Sequence, residues 1–352
     1  MNYRTVKRTG LRISEIGFGA GDNAGLMISG TLEEQCKALD RALELGITYV
    51  DTAPRYGDRM SETNLGRVFK ELRVRPIINS KVEVMPDDVG DIASAVVNSV
   101  EESLQRLGID CLDSVMIQNT PVFARAGDWD ARQNHEIPYY LRSPIPLTLG
   151  DFLGPKGAAE GLHRLQQAGK IRFTGVTFIA GLDLPVARAV VASGEFAVVN
   201  VTYNLMNPTA GMPKPRGLQV DVEYGQIIDY ASEHGCGIAI ISPLARGVLT
   251  NQALADGSRH RLAGTSVVRN PDAYQHLLQQ ARTFGFLAHE GRTLGQAAIR
   301  FLLGHPGVTT VLGGFTAVEQ IEEMVTASSA PPLSDEDYAR IELAWRSNLG
   351  DL

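Results

Sequence analysis

The stretch TLEEQCKALDRALELGITYVDTA, residues 31–53, contains the unit that decides the fold of this chain. Thr31, with Glu34 three residues later, is a typical helix start, and Gly46 is a typical helix end. The run YVDTA (49–53) that follows has the apolar character of a buried strand. A helix followed by such a strand is the unit of a parallel sheet covered by helices.

The same alternation continues along the rest of the sequence. Seven further runs predict strands: EIGFGA (15–20), IINSKV (77–82), LDSVMIQ (112–118), FTGVTF (173–178), AVVNVTY (197–203), GIAIISP (237–243) and TTVLGG (309–314). The remaining periodic segments predict helices at 61–71, 91–107, 157–169, 183–193, 222–235, 272–290, 293–305, 316–328 and 335–348. The opening segment YRTVKRTGLRIS predicts a hairpin that turns at Thr9-Gly10.

Eight strand–helix repeats fit either a closed barrel or a doubly wound sheet. A doubly wound dinucleotide fold carries GxGxxG after its first strand. Here the first strand continues into GAGDNAGLMISG (19–30), which has the spacing GxGxxxG and reads as a loop. We therefore predict a (β/α)8 TIM barrel with an N-terminal β-hairpin, formed as a single domain over residues 1–352.

Two long connections, 119–156 and 244–271, follow predicted strands. Both are therefore expected on the C-terminal face of the barrel, where active sites of this fold lie. Loops of this length in a compact fold are commonly active-site lids, and that is the role predicted for both.

Composition excludes several classes of function. The net charge of −7 predicts no nucleic-acid surface. No stretch reaches the ~18 consecutive apolar residues of a membrane span, and the first residues lack the apolar core of a signal peptide, so a cytoplasmic location is expected. Cys36, Cys111 and Cys236 are far apart and read as buried thiols. Neither the cysteines nor the seven histidines have metal-ligand spacing, so no metal is predicted.

Three polar residues stand at the ends of neighbouring strands. Asp51 ends the second strand, Tyr56 follows in its loop, and Lys81 ends the third strand. A phenol with a reference pKa of about 10 is a poor acid–base group until a nearby ammonium lowers that pKa. A carboxylate would hold the lysine charged and oriented. Taken singly each residue is more often structural, but together they predict a proton-transfer unit.

The motifs around these residues resemble the aldo-keto reductase family. The resemblance rests on DTAPRYGDRMSETNLG (51–66), NSKV (79–82) and TLGQAAIRFLLGHPGVTTVLGGFTAVEQIEE (293–323), and extends over residues 3–346. It implies an NAD(P)-dependent oxidoreductase that transfers hydride between a nicotinamide and an aldehyde, ketone, sugar or alcohol substrate. It also implies that Tyr56 donates the proton, that Lys81 tunes Tyr56, and that Asp51 pairs with Lys81.

One position departs from the family pattern. The family usually has a histidine five residues after the aspartate of the fourth strand, here Asp113, and this chain has Gln118 there. An amide can donate a hydrogen bond to a substrate oxygen but cannot relay a proton. Gln118 is therefore expected to orient the substrate.

The resemblance also implies cofactor contacts. Thr177 and Asn200 would hold the nicotinamide carboxamide, and the loop containing Ser242, Leu244, Arg246 and Gly247 would bind the pyrophosphate. The adenosine end would contact the following residues: Gly314, Thr316, Gln320 and Glu323. NADP(H) is favoured because the family favours it, and NAD(H) is the alternative because Gln320 stands where an arginine often holds the 2′-phosphate. Arg246, Arg259 and Arg261 of the long loop could replace that cation. Thr316 with Glu319 also has the spacing of a helix capping box.

Two alternatives stay open at this point. A tightly held cofactor could serve an internal oxidation and re-reduction, which would make the protein an epimerase or lyase. The same scaffold could instead be a non-catalytic NAD(P)-binding regulatory protein, although it retains Asp51, Tyr56 and Lys81.

Overall fold

The computed structural model describes residues 1–22, 24–125, 143–179, 181–256 and 271–350. Within these ranges, eight parallel strands form a closed barrel in chain order, and the last strand pairs with the first. These strands are β3 (Ile16–Gly19), β4 (Tyr49–Asp51), β5 (Ile77–Val82), β6 (Leu112–Ile117), β7 (Ile171–Phe178), β8 (Val198–Thr202), β9 (Gly237–Ile241) and β10 (Thr310–Gly314). The predicted barrel and all eight predicted strands are confirmed.

The predicted hairpin is also present and covers the N-terminal end of the barrel. Strand β1 (Tyr3–Thr5) pairs antiparallel with β2 (Arg12–Ser14), and Gly10 between them has a left-handed φ of 68°. Val6 of the hairpin packs so closely on Gly237, the first residue of β9, that a Cβ there would lie 2.5 Å from the valine methyl. The hairpin therefore closes the end of the barrel where the strands begin.

Helices pack around the barrel in the described ranges. They are α1 (Leu26–Ser29), α2 (Leu32–Glu44), α3 (Met60–Leu72), α4 (Ile92–Leu107), α5 (Leu149–Leu153), α6 (Ala158–Gln167), α7 (Leu184–Ala192), α8 (Ile227–Glu233), α9 (Asn251–Asp256), α10 (Pro271–Arg282), α11 (Leu294–Leu303), α12 (Val318–Ser329) and α13 (Asp335–Arg346). The Thr31 capping box at the start of α2 is formed as predicted. The short helices α1, α5 and α9 were not predicted from the sequence.

Two predicted helices are shorter than expected. The helix predicted at 222–235 begins only at Ile227, because Gly225 and Gln226 both adopt left-handed backbone with φ of 53° and 57°. The helix predicted at 272–290 ends at Arg282 and is followed by a separate turn of 3₁₀ helix at Gly285–Leu287.

Strand register brings the predicted site residues to one end of the barrel. Asp51 pairs with Asn79 between β4 and β5, Lys81 pairs with Met116 between β5 and β6, and Thr177 pairs with Asn200 between β7 and β8. Asp51, Lys81 and Thr177 each lie at the carboxyl end of their strand or one residue before it, whereas Asn79 and Asn200 lie in the middle of theirs. Residues 126–142 of the first predicted lid and 257–270 of the second lie outside the described residues, and the latter range includes Arg259 and Arg261.

Two further expectations concern membranes and metals. Among the residues that the structure describes, no helix is both long and apolar enough to cross a bilayer. The same residues contain no group of three or more histidine, cysteine or acidic side chains arranged to hold a metal ion.

Candidate active site

Lys81 connects the three residues predicted as the proton-transfer unit. Its Nζ lies 2.6 Å from Asp51 Oδ2 and 3.0 Å from the Tyr56 hydroxyl, and it also donates to the Thr52 carbonyl at 2.8 Å. Asp51 and Lys81 are buried, whereas Tyr56 is half-buried and faces a cavity. A single ammonium thus contacts both the phenol and the carboxylate, as the sequence predicted.

Two asparagine side chains inside the barrel donate hydrogen bonds to Asp51. Asn79 Nδ2 donates to Asp51 Oδ1 at 2.7 Å, and Asn79 in turn accepts a hydrogen bond from Ser114 Oγ at 2.7 Å. Asn200 Nδ2 approaches the same Asp51 oxygen at 3.3 Å. Because both carboxylate oxygens have donors, Asp51 presents a fixed negative charge to Lys81.

The pKa of Tyr56 differs in direction from the sequence expectation. Burial raises the pKa of the phenol and exceeds the opposing effect of the Lys81 ammonium, while Asp51 and Asp22 raise it further. Burial alone would lower the pKa of Lys81, but Asp51 and Tyr56 outweigh burial and raise it. At neutral pH the pair is therefore a neutral phenol beside a charged ammonium, which is the form that donates a proton.

The loop after β3 contacts Tyr56 and the residue that follows it. The sequence predicted that residues 21–30 help to form the pocket, but it did not single out Gly21 or Asp22. Gly21 packs on the tyrosine ring so that a Cβ there would lie 3.4 Å from it. Asp22 Oδ1 accepts the Gly57 backbone N–H at 2.7 Å, directly after Tyr56 in the chain. Burial raises the pKa of Asp22, and the Gly57 N–H and the Arg55 charge oppose that effect.

Gln118 lies in the cavity wall and has a charged neighbour. Its Nε2 donates to Glu83 Oε1 at 3.2 Å, and Glu83 forms an ion pair with Arg55 at 2.6 Å. The sequence reasoning did not single out Glu83 or Arg55. The available signal was position, since Glu83 directly follows β5 just as Gln118 follows the neighbouring β6.

One cavity of about 560 Å³ extends from the proton-transfer unit to the start of α12. Its wall includes nine of the ten residues that the resemblance assigned to the cofactor, namely Thr177, Ser242, Leu244, Arg246, Gly247, Gly314, Thr316, Gln320 and Glu323. Asn200 does not line the cavity. Its side chain is fully buried, and its Oδ1 has no hydrogen-bond partner among the described residues.

The predicted pyrophosphate loop has strained backbone. Ser242, Ala245 and Arg246 have φ of 54°, 46° and 62°, which non-glycine residues rarely adopt, and Gly247 follows with 87°. Such strain costs on the order of 1–3 kcal/mol per residue and is concentrated at functional sites. Arg246 is exposed at the cavity and forms no ion pair with a described residue. The loop thus presents a cation where a phosphate could bind.

The capping box predicted for Thr316 and Glu319 is not formed. Helix α12 begins at Val318, and its cap residue Ala317 offers no side-chain hydrogen bond. Thr316 instead donates its N–H and its hydroxyl to Gln320 Oε1 at 2.8 and 2.9 Å. Glu323 is also engaged, because its Oε1 accepts from Thr293 Oγ1 at 2.5 Å. This end of the cavity is polar and contains a carboxylate.

Comparison with known proteins agrees with this geometry. The model of the Aldo/keto reductase family matches residues 15–346. The chain belongs to the aldo/keto reductase family. As an aldo-keto reductase it is an NAD(P)-dependent oxidoreductase, which fits the cavity beside Tyr56 and Lys81.

Individual relatives of this aldo-keto reductase are distant but cover nearly all of it. It is 26% identical over 331 residues to the L-galactose dehydrogenase of Arabidopsis thaliana, and this alignment covers 93% of this chain and 88% of that protein. It is 26% identical over 360 residues to the L-glyceraldehyde 3-phosphate reductase of Escherichia coli O157:H7, and this alignment covers 97% of this chain and 92% of that protein. The holo structure of the aldo-keto reductase AKR11C1 from Bacillus halodurans shares the fold with a TM-score of 0.68 at 21% identity, over 97% and 96% of the two chains.

Proposed function

We propose that this aldo-keto reductase transfers hydride between a nicotinamide cofactor and a carbonyl or alcohol substrate, with Tyr56 as the proton donor and acceptor. The observation that carries the proposal is the position of Lys81 Nζ, within 3.0 Å of the Tyr56 hydroxyl and 2.6 Å of Asp51. A nicotinamide bound in the cavity would supply or accept the hydride.

The residues of the chain would then handle the proton. In reduction the Tyr56 hydroxyl donates its proton to the carbonyl oxygen, and Lys81 stabilises the phenolate that is left. Asp51 keeps Lys81 charged and oriented through the 2.6 Å ion pair. Gln118 donates an N–H to the substrate oxygen. In oxidation the phenolate accepts the alcohol proton.

We propose a polyhydroxylated substrate, such as a sugar or a small sugar aldehyde. Two relatives are named for an L-galactose and an L-glyceraldehyde 3-phosphate activity. The amide of Gln118 can both donate and accept hydrogen bonds, which suits hydroxyl groups next to the reacting carbon. Arg55 and Glu83 add further polar groups beside it.

For the cofactor we propose NAD(H), in place of the NADP(H) that the family resemblance favours. A 2′-phosphate needs a cation. Of the described residues assigned to the adenosine end, Thr316 and Gln320 are neutral and Glu323 is acidic, and the one described arginine in the cavity wall, Arg246, is assigned to the pyrophosphate. Titration of NADH and NADPH against intrinsic fluorescence measures the preference.

The Tyr56→Phe variant tests the proposed role. With NADH and DL-glyceraldehyde, we expect kcat/KM to fall by roughly 10²–10⁴-fold, the usual contribution of a positioned general acid. The dissociation constant for NADH should stay the same because the phenyl ring is retained. Tyr203→Phe is the control, since Tyr203 is a buried tyrosine outside the cavity wall. Unchanged turnover by the Tyr56 variant would show that the assignment is wrong.

The same assay separates net oxidoreduction from the epimerase or lyase alternative. Net oxidoreduction changes the nicotinamide absorbance as the wild-type enzyme turns over. An epimerase or lyase with a retained cofactor would convert its substrate with no such change.

A further inference from the structure

A largely buried ion pair stands beside the cavity, next to the proton-transfer unit. Arg55 Nε lies 2.7 Å from Glu83 Oε1 and 2.6 Å from Glu83 Oε2. The Glu83 side chain is 5% exposed and the Arg55 side chain 20% exposed. Arg55 directly precedes Tyr56, so the pair joins the loop of the proton donor to the end of β5.

Strand register brings Gln118 to this ion pair. Val82 and Ile117 are paired in the barrel, so the next residues, Glu83 and Gln118, stand side by side where β5 and β6 end. The Gln118 backbone N–H donates to the Val82 carbonyl at 2.8 Å, which fixes the backbone of Gln118 at this point. Its side-chain Nε2 then reaches Glu83 Oε1 at 3.2 Å.

The carboxylate decides which way the Gln118 amide faces. The nitrogen and oxygen of a glutamine amide have nearly the same shape, so an amide without a decisive partner can present either of them. An ionised carboxylate only accepts hydrogen bonds, so the Glu83 contact requires the NH2 group. The second hydrogen of the same nitrogen is then left for a group in the cavity, which Gln118 lines together with Tyr56.

We propose that Glu83 is a positioning residue that holds the Gln118 amide in its donating orientation, and that Arg55 keeps Glu83 in place. This inference rests on the proposed function, in which the substrate oxygen lies between Tyr56 and Gln118. With the amide reversed, the Gln118 carbonyl oxygen would face the substrate oxygen, and two acceptors would repel each other. The ion pair thus adapts the site to glutamine at the position where the family usually has histidine.

The Glu83→Gln variant tests the inference by kinetics. A glutamine at 83 can accept or donate, so it no longer selects one face of Gln118. With NADH and DL-glyceraldehyde we expect kcat to fall about tenfold, in the range for loss of a hydrogen bond to a charged group, with KM changed less than about threefold. Starting from Gln118→Ala, the same change at 83 should lower kcat by a smaller factor than it does in the wild type, because no amide is left to orient.

The matched control is Glu15→Gln. Glu15 is a similarly buried acid whose Oε1 accepts from an arginine Nε at 2.7 Å, but its partner is Arg4 at the other end of the barrel. This control should lower thermal stability and leave kcat unchanged. If Glu83→Gln reduces kcat by the same factor with and without Gln118, Glu83 acts independently of the amide and the inference is wrong.

A second measurement needs no substrate. In protein labelled with ¹⁵N in glutamine side chains, the signal missing from Gln118→Ala identifies the Gln118 NH2 group. We expect its two hydrogens to be well separated and slow to exchange with solvent, and Glu83→Gln to remove both properties. An unchanged signal would overturn the inference. Wild-type enzyme inactive on glyceraldehyde and on a sugar panel would instead reject the proposed function, while the amide signal still decides the role of Glu83.

Discussion

At the scale of single residues, the pKa of Tyr56 is set by its burial and by the charges around it. Burial is the largest cause of its raised pKa, Lys81 opposes burial, and the carboxylates of Asp51 and Asp22 add to it. Asp51 cannot be changed without losing the Lys81 ion pair. Asp22 can be changed to asparagine, because the asparagine side chain keeps the oxygen that accepts the Gly57 N–H.

We therefore predict that Asp22→Asn lowers the pKa of Tyr56. In the alkaline range Asp22 is ionised, so the variant removes one negative charge that disfavours the phenolate. In the reduction direction, where protonated Tyr56 is needed, the alkaline limb of the kcat/KM profile should move to lower pH. Asp58→Asn, at an exposed position in the neighbouring loop, is the control. A limb that stays in place or moves to higher pH would contradict the prediction.

The sequence predicted Asp51, Tyr56 and Lys81 because strand ends that are neighbours in a barrel must meet. Glu83, Arg55 and Asp22 escaped prediction for a physical reason. Each depends on a partner 28 to 35 residues away in the sequence. Whether the two side chains meet depends on the backbone conformation of loops, and loops have no periodic sequence pattern from which that conformation could be predicted. Asn200 was placed at the cofactor by resemblance, but its amide reaches inward to Asp51.

At the scale of elements, the start of α12 shows how one side chain changes a helix boundary. The spacing of Thr316 and Glu319 fits a capping box, yet Gln320 reaches back to the Thr316 N–H and hydroxyl. The helix therefore begins two residues later, at Val318. Sequence alone could not choose between these competing partners, because both side chains can accept the same N–H.

At this element we predict that Gln320→Arg shifts preference toward NADP(H). The arginine adds a cation at the polar adenosine end, and a charge-assisted bond to a 2′-phosphate should raise the ratio of kcat/KM with NADPH to that with NADH about tenfold. Gln320→Met removes the Thr316 contact without adding charge and controls for that loss. Equal changes in kcat/KM with both cofactors would show that the side chain at position 320 does not contact the 2′-phosphate.

At the scale of the whole molecule, the N-terminal hairpin is tied to the last helices. Arg4 binds Glu15 and donates to the carbonyls of Leu303 and His305 near the end of α11. Asn2 binds Ser328 in α12. These contacts join the N-terminal residues to α11 and α12, and we propose that residues 1–352 form one domain.

We predict that Arg4→Ala lowers the free energy of unfolding by about 2–4 kcal/mol, because it leaves the buried Glu15 carboxylate without its cationic partner. Urea unfolding followed by circular dichroism measures this loss. The dissociation constant for NADH should not change, since Arg4 is at the far end of the barrel. Arg346→Ala, which breaks only an exposed pair with Glu342, should stay within about 0.5 kcal/mol of wild type. Equal losses in the two variants would show that the contacts of the hairpin with α11 and α12 do not stabilise the fold.

The hairpin has a consequence for laboratory evolution of new specificities. It seals the face where the strands begin, while the cavity opens at the face where they end, so stability and substrate choice reside in separate sets of residues. In a random library over the whole gene, most substitutions would fall among the residues that determine stability. A library restricted to the cavity rim would vary the substrate range and leave the hairpin contacts at the opposite end of the barrel unchanged.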